Sequence, residues 1–301
     1  MASAPGSLML MGEHAVLHGS HALCAAVNQR IHIRLQARQD REFEIQSALG
    51  KYGGSLNDIE VCKPFQFVLA AIRKFSPGQG FRLDIQSEFS DQIGFGSSAA
   101  VTVATLALLR AFAGKPFDRA ALLEEALTVV REVQEKASGS DIAAAVYGGV
   151  VYYRPDPLSV QPLQSSLPLS VCYAGYKTPT PEVICLVETK RQAHPEGFQK
   201  IFSLIDHCVG DAVTAIRQGD HEKLGQLFDL HHGLQSAMGC SDETLDYLVH
   251  QLRQHPNVVG AKISGSGLGD CVIALGTSEA RVNGYDAYPV ETDPEGVRLE
   301  P

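Results

Sequence analysis

The chain has 301 residues, 45% of them hydrophobic and 20% charged, and 25 Lys and Arg stand against 34 Asp and Glu for a net charge of −9. That length buries a sizeable core as one large unit or two domains, and the composition excludes a disordered chain. No basic run exceeds two residues, so the clustered charge of a nucleic-acid face is missing.

The seven cysteines (24, 62, 172, 185, 208, 240 and 271) are scattered, odd in number and without a C-x-x-C pair. They read as reduced cytoplasmic thiols packed as small hydrophobes, which argues against a disulfide framework or a zinc site. The first residues, MASAPGSLMLMGEH, carry no basic region ahead of an apolar run and do not read as a signal peptide. No stretch of 18 apolar residues exists, so no membrane span is expected.

Along the chain, strict alternation predicts strands over 31–37 and 81–86. Phe65, Val68, Leu69 and Ile72 fall at helical spacing within 64–75. Residues 98–112 are apolar nearly all round, which predicts a buried helix. Asp118 is placed as the N-cap of a helix running to about 134, and a strand follows over 150–153. Arg154-Pro155-Asp156-Pro157 is the best candidate boundary, dividing the chain into 1–155 and 156–301. Beyond it, a strand is expected over 169–173, then helices near 196–217, 220–238 and 242–254, the last capped by Ser241. Strands over 259–264 and 270–275 close around a second glycine-rich turn. The fold class is α+β in two halves, with no internal repeat.

Gly94-Phe95-Gly96-Ser97-Ser98-Ala99-Ala100 is the first segment that suggests chemistry. Gly94 and Gly96 let an anion approach the main chain, and the residues after them open a long helix whose first N–H groups lack helical partners. Those donors and the helix dipole form an anion site without basic side chains. A serine hydroxyl at such a loop can also hold Mg²⁺. An ordinary serine-capped glycine turn has the same pattern, and the segment is not a Walker loop because no Gly-Lys-Ser/Thr follows. The adjacent His231 and His232 would point to different faces of a helix and make a poor metal site.

Three separated segments, in order, resemble the motifs of the GHMP kinases. Residues 5–19, PGSLMLMGEHAVLHG, resemble the first. Residues 93–100, IGFGSSAA, resemble the second, the phosphate loop. Residues 260–271, GAKISGSGLGDC, resemble the third. Within that superfamily, Gly12-Glu13-His14-Ala15-Val16 followed by Gly19 is similar to the mevalonate kinases. The resemblance covers essentially the whole chain. It implies a ribosomal-S5-like N-terminal domain and a ferredoxin-like C-terminal domain with the active site in the cleft between them. It further implies transfer of the ATP γ-phosphate to the 5-hydroxyl of mevalonate with Mg²⁺, a cytoplasmic step in isoprenoid precursor synthesis, with a homodimer as the assembly to consider.

The resemblance also assigns residues. Residues 138–149, SGSDIAAAVYGG, match the segment holding the family's catalytic aspartate, which makes Asp141 the acid–base candidate, although its position also suits a helix cap. Gly94, Gly96, Ser97, Ser98, Ala99 and Ala100 are assigned to the nucleotide, with Gly265 and Gly267 buttressing from the third motif. His14, Glu13 and Thr180 are assigned to the acceptor side, Glu13 more as local structure than as chemistry. Ser98 and Glu132 are the Mg²⁺ candidates.

Two positions depart from the pattern. The family has lysine directly after the Pro-Gly of the first motif, where this chain has Ser7. Serine supplies no positive charge, and loss of one such electrostatic group typically costs on the order of 10²–10³ in rate. Lys136, Lys177 and Lys262 are the candidate substitutes. The family's Mg²⁺-binding glutamate falls at Val130, and Glu132 is the nearest carboxylate on the same helix. Alternatives stay open: a phosphomevalonate kinase, suggested by residues 138–148 and 267–271, an ATP-dependent decarboxylase of the same fold, or a GHMP-fold protein that binds ligand with weak or no catalysis.

Overall fold

The segment read first as a motif is itself a strand. β1 (Ala2–Met11) is buried along its whole length and turns through a short 3-10 segment (Ala15–His18) into β2 (Ala22–Ala37). In this computed structural model, which describes residues 1–89, 94–134, 136–163, 165–277, 281–282 and 284–300, the chain continues through β3 (Glu42–Ser47), β4 (Gly50–Ser55), α1 (Gln66–Phe75) and β5 (Phe81–Ser87). Then come α2 (Ser97–Phe112), α3 (Arg119–Val133), α4 (Ser140–Tyr147), β6 (Val150–Pro155), β7 (Leu158–Leu163) and β8 (Leu169–Lys177). The rest runs α5 (Thr180–Ala193), α6 (Pro195–Gln218), α7 (His221–Met238), α8 (Glu243–Arg253), β9 (Val258–Ser264), β10 (Gly269–Gly276), β11 (Arg281–Val282), β12 (Tyr285–Val290) and β13 (Arg298–Leu299). The α+β class follows directly. Among the described residues no helix is long and apolar enough to cross a membrane.

Two sheets organise these elements. The first has the order β13-β1-β2-β5-β3-β4, with β6 on β2 and β7 on β6. Its pairings are antiparallel except β3 with β5. β2 is long enough to serve two neighbours on one edge, pairing Ala22–Ala25 with β6 and Ile31–Ala37 with β5. The second sheet, β11-β12-β8-β10-β9, is antiparallel throughout. Arg154-Pro155-Asp156-Pro157 forms the turn of the β6–β7 hairpin, and the C-terminal β13 returns to the first sheet.

α2 is the central helix of the first half. Its Ala-rich, apolar surface lets it lie against β1 and β2 on one side and α1, α3 and α4 on the others. A helix enclosed on several sides needs no polar face, which is why its sequence shows no amphipathic stripe. α6 and α8 carry the usual one-sided apolar stripes and bury Phe202, Ile205 and Val209, and Leu245, Leu248 and Leu252 respectively.

Asp118 caps α3 as expected, accepting from the Ala120 and Ala121 N–H groups. The cap of α8 is Asp242 and not Ser241: the Asp242 carboxylate accepts from Leu245 N, while the Ser241 hydroxyl donates to Asp246. Both residue types cap helices, and the carboxylate one position later wins the N3 donor. Several elements drew no assignment from sequence, β3, β4 and α5 among them. β3 and β4 are short and largely polar, and α5 buries only Val183, Ile184 and Val187.

The C-terminal return is fastened by a buried charge. Arg30 pairs with Asp293 and donates to the carbonyls of Ser3 at 3.0 Å and Gly296 at 2.8 Å. Asp293 in turn accepts from the N–H groups of Glu295 and Gly296 at 3.0 Å each. Removing one partner of such a pair strands the other in low dielectric. Arg30→Met is therefore expected to destabilise the fold by about 3–5 kcal/mol, measured as a lowered urea midpoint.

Candidate active site

The start of α2 opens into a cleft of about 950 Å³ lined from both halves of the chain. The helix is preceded by Gly96, whose φ of 60° is left-handed, and no side chain caps its first donors. Ala100 N closes the first helical turn onto Gly96 O, so the N–H groups ahead of it have no partner within the helix. Gly96 is also required by space: a Cβ there would collide with the Ser7 hydroxyl, and one on Gly94 would collide with the Asp270 carboxylate. Ser7 N donates to Phe95 O at 2.9 Å, fixing the loop to β1, and the Phe95 ring packs edge-on against Phe89 and Tyr288. Gly94, Gly96, Ser97, Ser98 and Ala99 line the cleft, whereas Ala100 is buried behind them. Ile93 of the quoted motif lies outside the described residues.

Asp141 lies in the first turn of α4 and borders the same cleft. It does not cap its own helix. Gly139 holds the N-cap position, and the Asp141 Oδ1 accepts from Ser7 Oγ at 3.1 Å and Cys24 Sγ at 3.4 Å. Both donors are neutral. Burial raises the Asp141 carboxyl above its ordinary value, opposed by the Cys24 and Ser7 hydrogen bonds and the charge of Lys177. A carboxylate held poorly solvated and without a direct ion pair is a stronger proton acceptor than one in water.

Beneath the site, the first motif is bound to the second sheet. The Glu13 and Lys262 side chains are both buried and meet at 2.6 Å. Burial raises the Glu13 carboxyl and lowers the Lys262 ammonium, and their contact works against both shifts. His231 Nε2 accepts from Gly12 N at 3.0 Å, so the proton of this neutral ring sits on Nδ1, facing Gln235 Oε1 at 3.3 Å. Burial also holds His231 well below the usual imidazole range. His231 Nε2 therefore has no proton to offer the Glu13 Oε2 3.4 Å away. His14, at a left-handed φ of 62°, donates from Nε2 to Ser266 O at 2.8 Å, leaving Nδ1 as its acceptor nitrogen. Ser264 Oγ donates to Met9 O at 2.9 Å.

The structure thus brings Gly94, Gly96, Ser97, Ser98, Ala99, Asp141, His14, Thr180 and Gly265 to one cleft. Glu13 borders it too, but its carboxylate is turned to Lys262. Gly267 instead packs against Cys240, whose carbonyl a Cβ would strike. Glu132 lies on the cleft wall in an ion pair with Arg73 of α1, and Val130, largely buried, borders the same cleft. Lys262 is removed from contention as a cation for the cleft by its burial against Glu13. His232 pairs with Asp246 at 3.2 Å on a different side of α7 from His231. Among the described residues, no group of three or more His, Cys, Asp or Glu is arranged to hold a metal.

Two groups at the site had drawn no role from sequence. Cys24 lies on β2, and only the β1–β2 register brings it beside Asp141. Asp270 stood within the third motif as one more polar residue. Its left-handed φ of 69° and the bulge between Gly269 and Cys271 turn its carboxylate toward Gly94 and Lys177.

Comparison with known proteins agrees with this geometry. Residues 65–149 match the GHMP kinases N terminal domain, 212–288 the GHMP kinases C terminal domain, and 1–36 the Galactokinase galactose-binding signature. The mevalonate kinase of Archaeoglobus fulgidus is 33% identical over 304 residues, spanning 100% of this chain and 99% of that one. The chain belongs to the mevalonate kinases of the GHMP kinase superfamily. The mevalonate kinase of Aeropyrum pernix is 30% identical, over 99% of this chain and 98% of its own. The crystal structure of the Methanococcus jannaschii mevalonate kinase superposes with a TM-score of 0.81 at 25% identity, covering 96% of this chain and 97% of that one. Membership makes the chain a kinase with the two-domain GHMP fold.

The buried pair gives a direct test of how the family's first motif is held. Lys262→Met leaves Glu13 charged and unpaired and is expected to lower stability by about 3–5 kcal/mol in chemical denaturation. The double variant Glu13→Gln/Lys262→Met is expected to recover most of that loss, because no buried charge is left alone.

Proposed function

We propose that the chain transfers the γ-phosphoryl group of ATP to the 5-hydroxyl of mevalonate, with Mg²⁺, forming 5-phosphomevalonate for isoprenoid precursor synthesis. One juxtaposition carries this reading: the uncapped start of α2 and the Asp141 carboxylate border one cleft, with Ser7 touching both Asp141 and the loop. A helix start binds phosphate, and a carboxylate beside it takes a proton from an attacking hydroxyl.

In this reading the N–H groups after Gly94 and Gly96 hold the ATP phosphates, and Gly265 borders them from the third motif. The Gly267 turn supports that segment. His14 and Thr180 face the acceptor, with Glu13 acting through the position of the first motif. As the acceptor oxygen bonds to phosphorus and the bond to ADP breaks, Asp141 takes the hydroxyl proton. The Ser98 hydroxyl and the Glu132 carboxylate, once released from Arg73, are the oxygen donors that would hold Mg²⁺, which suits a hard cation. When bound, the ion neutralises phosphate charge.

Incubation with ATP, Mg²⁺ and mevalonate is expected to release ADP, with phosphomevalonate and galactose inert as acceptors. ADP release on one of those acceptors and not on mevalonate would overturn the reading. Asp141→Asn is expected to lower kcat by about 10²–10⁴. Because folding raises this carboxyl, its protonated form suits the fold and its ionisation costs stability as pH rises through the folded value. At neutral pH the Asn variant should therefore melt at or above the wild-type temperature. In the wild type, kcat/KM should rise with pH through a midpoint above the ordinary 3.8 of an aspartate, as a base that must be ionised requires. A midpoint at or below that value would exclude Asp141 as the base.

A further inference from the structure

Phosphoryl transfer spreads negative charge over the equatorial oxygens of the transferring group, and a positioned cation stabilises that charge most. Among the described residues, the side chains hydrogen-bonded to Asp141 supply none: Ser7 and Cys24 are neutral. Ser7 is 1% exposed, and its hydroxyl already fills the space a Gly96 Cβ would need. The cation has to come from another wall of the cleft.

The basic side chains bordering the cleft are Lys63, Arg73, Lys136 and Lys177. Arg73 is engaged with Glu132 at the α1–α3 side. Lys177 is placed differently. It ends β8 opposite Gly269, and its ammonium meets the Asp270 Oδ2 at 2.7 Å. The Asp270 carboxylate presses on Gly94 at the start of the phosphate loop. Among the described residues its other oxygen is buried without a hydrogen-bond partner. The charge of Lys177 also acts on Asp141, and Asp270 acts there with the opposite sign. The arrangement is built. Asp270 holds a left-handed φ of 69°, the bulge between Gly269 and Cys271 sets its direction, and Thr178 Oγ1 anchors the neighbouring turn to Leu268 O at 2.6 Å.

We propose that Lys177 is the catalytic cation of this kinase, held against the phosphate loop by Asp270 as its positioning residue. This rests on the phosphotransfer reading above. Lys177 reaches the site from the second sheet, where the family's usual lysine would come from the first. The ammonium stays protonated throughout. It donates hydrogen bonds to the transferring phosphoryl oxygens while the acceptor oxygen bonds to phosphorus, the bond to ADP breaks and Asp141 takes the proton. The cation thus contributes charge and direction, and no proton of its own leaves.

The test is steady-state kinetics with ATP, Mg²⁺ and mevalonate on the wild type, Lys177→Met, Lys177→Arg and the double variant Lys177→Met/Asp270→Asn, with calorimetry for ATP. Lys177→Met is expected to lose about 10²–10³ in kcat. Its KM for mevalonate and its ATP affinity should stay within about threefold, as for a contact made in the transition state. Lys177→Arg should recover part of the loss. The double variant leaves no carboxylate without its partner, so it should melt like the wild type yet stay as slow as Lys177→Met. Recovery of kcat in the double variant would overturn the proposal, because it would mean that Lys177 merely neutralises Asp270. A Lys177→Met kcat within about threefold of wild type would overturn it as well. If Lys177→Met does not fold, the double variant and Lys177→Arg carry the comparison. A wild type that turns over no acceptor overturns the kinase reading and this inference together. A wild type that turns over while Lys177→Met matches it overturns the inference alone.

Discussion

The cleft depends on one buried contact, between Glu13 of the first motif and Lys262 of β9. It joins a segment that leaves the first sheet to a strand of the second, and neither charge has water to fall back on. Around it the first motif is fastened again, by Gly12 N to His231 of α7, by His14 to Ser266 and by Met9 O to Ser264. A buried ion pair contributes little net stability compared with apolar packing, but breaking one side of it is costly. That asymmetry suits a joint whose value is geometric. It fixes where His14 stands relative to the third-motif turn, and so fixes the width of the site.

The site handles anions within a chain of net charge −9. Long-range attraction does not bring a nucleotide to it. Local dipoles and a few placed cations do. The α2 start supplies donors that no side chain has claimed, and the residues after Gly96 are small enough to leave them open. The small side chains also explain why α2 reads as featureless in hydropathy. It must be apolar to sit among β1, α1, α3 and α4, and small at its start to admit a ligand. Packing and binding impose the same composition.

What was legible in sequence was local. Gly94 to Ala100 carries its chemistry in consecutive residues, and so does the Gly139-Ser140-Asp141 turn into α4. Helices with one-sided stripes, α6 and α8, were readable for the same reason. The remainder depends on register and long-range pairing. Glu13 and Lys262 are 249 positions apart. Cys24 reaches Asp141 only because β1 and β2 pair with shifts at Pro5/Gly6 and Met9/Met11. Ser7 could be read as a lost charge, but not as a side chain wedged beneath Gly96. Lys177 was one of three lysines that pattern alone could not rank. Burial removes Lys262, and the bulge in β10 singles out Lys177 by turning Asp270 toward it. The edge strand β4 gave no signal because GKYGGS has no apolar alternation to show, and β3, between β5 and β4, alternates only over Phe43 and Ile45.

Ser7 shows how these constraints compound. A lysine at position 7 would stand beside Asp141 and hold it ionised, since an opposite charge at hydrogen-bond distance lowers a carboxyl pKa. With serine there, the hydrogen bonds to Asp141 come from neutral groups, and burial is left to raise its carboxyl. The same exchange that removes a cation from the transferring phosphate therefore strengthens the base that takes the proton. The two effects act on opposite ends of one reaction coordinate, proton departure and charge accumulation on phosphorus, so they do not cancel. The base gains basicity from burial, but the phosphoryl oxygens still need positive charge, and Ser7, whose hydroxyl lies against Gly96, supplies none from the first sheet. A loop that closes tightly on a small residue has in this way shifted its electrostatics to the opposite wall. There a lysine at the end of a strand has the freedom of an exposed side chain and a buried carboxylate to aim it.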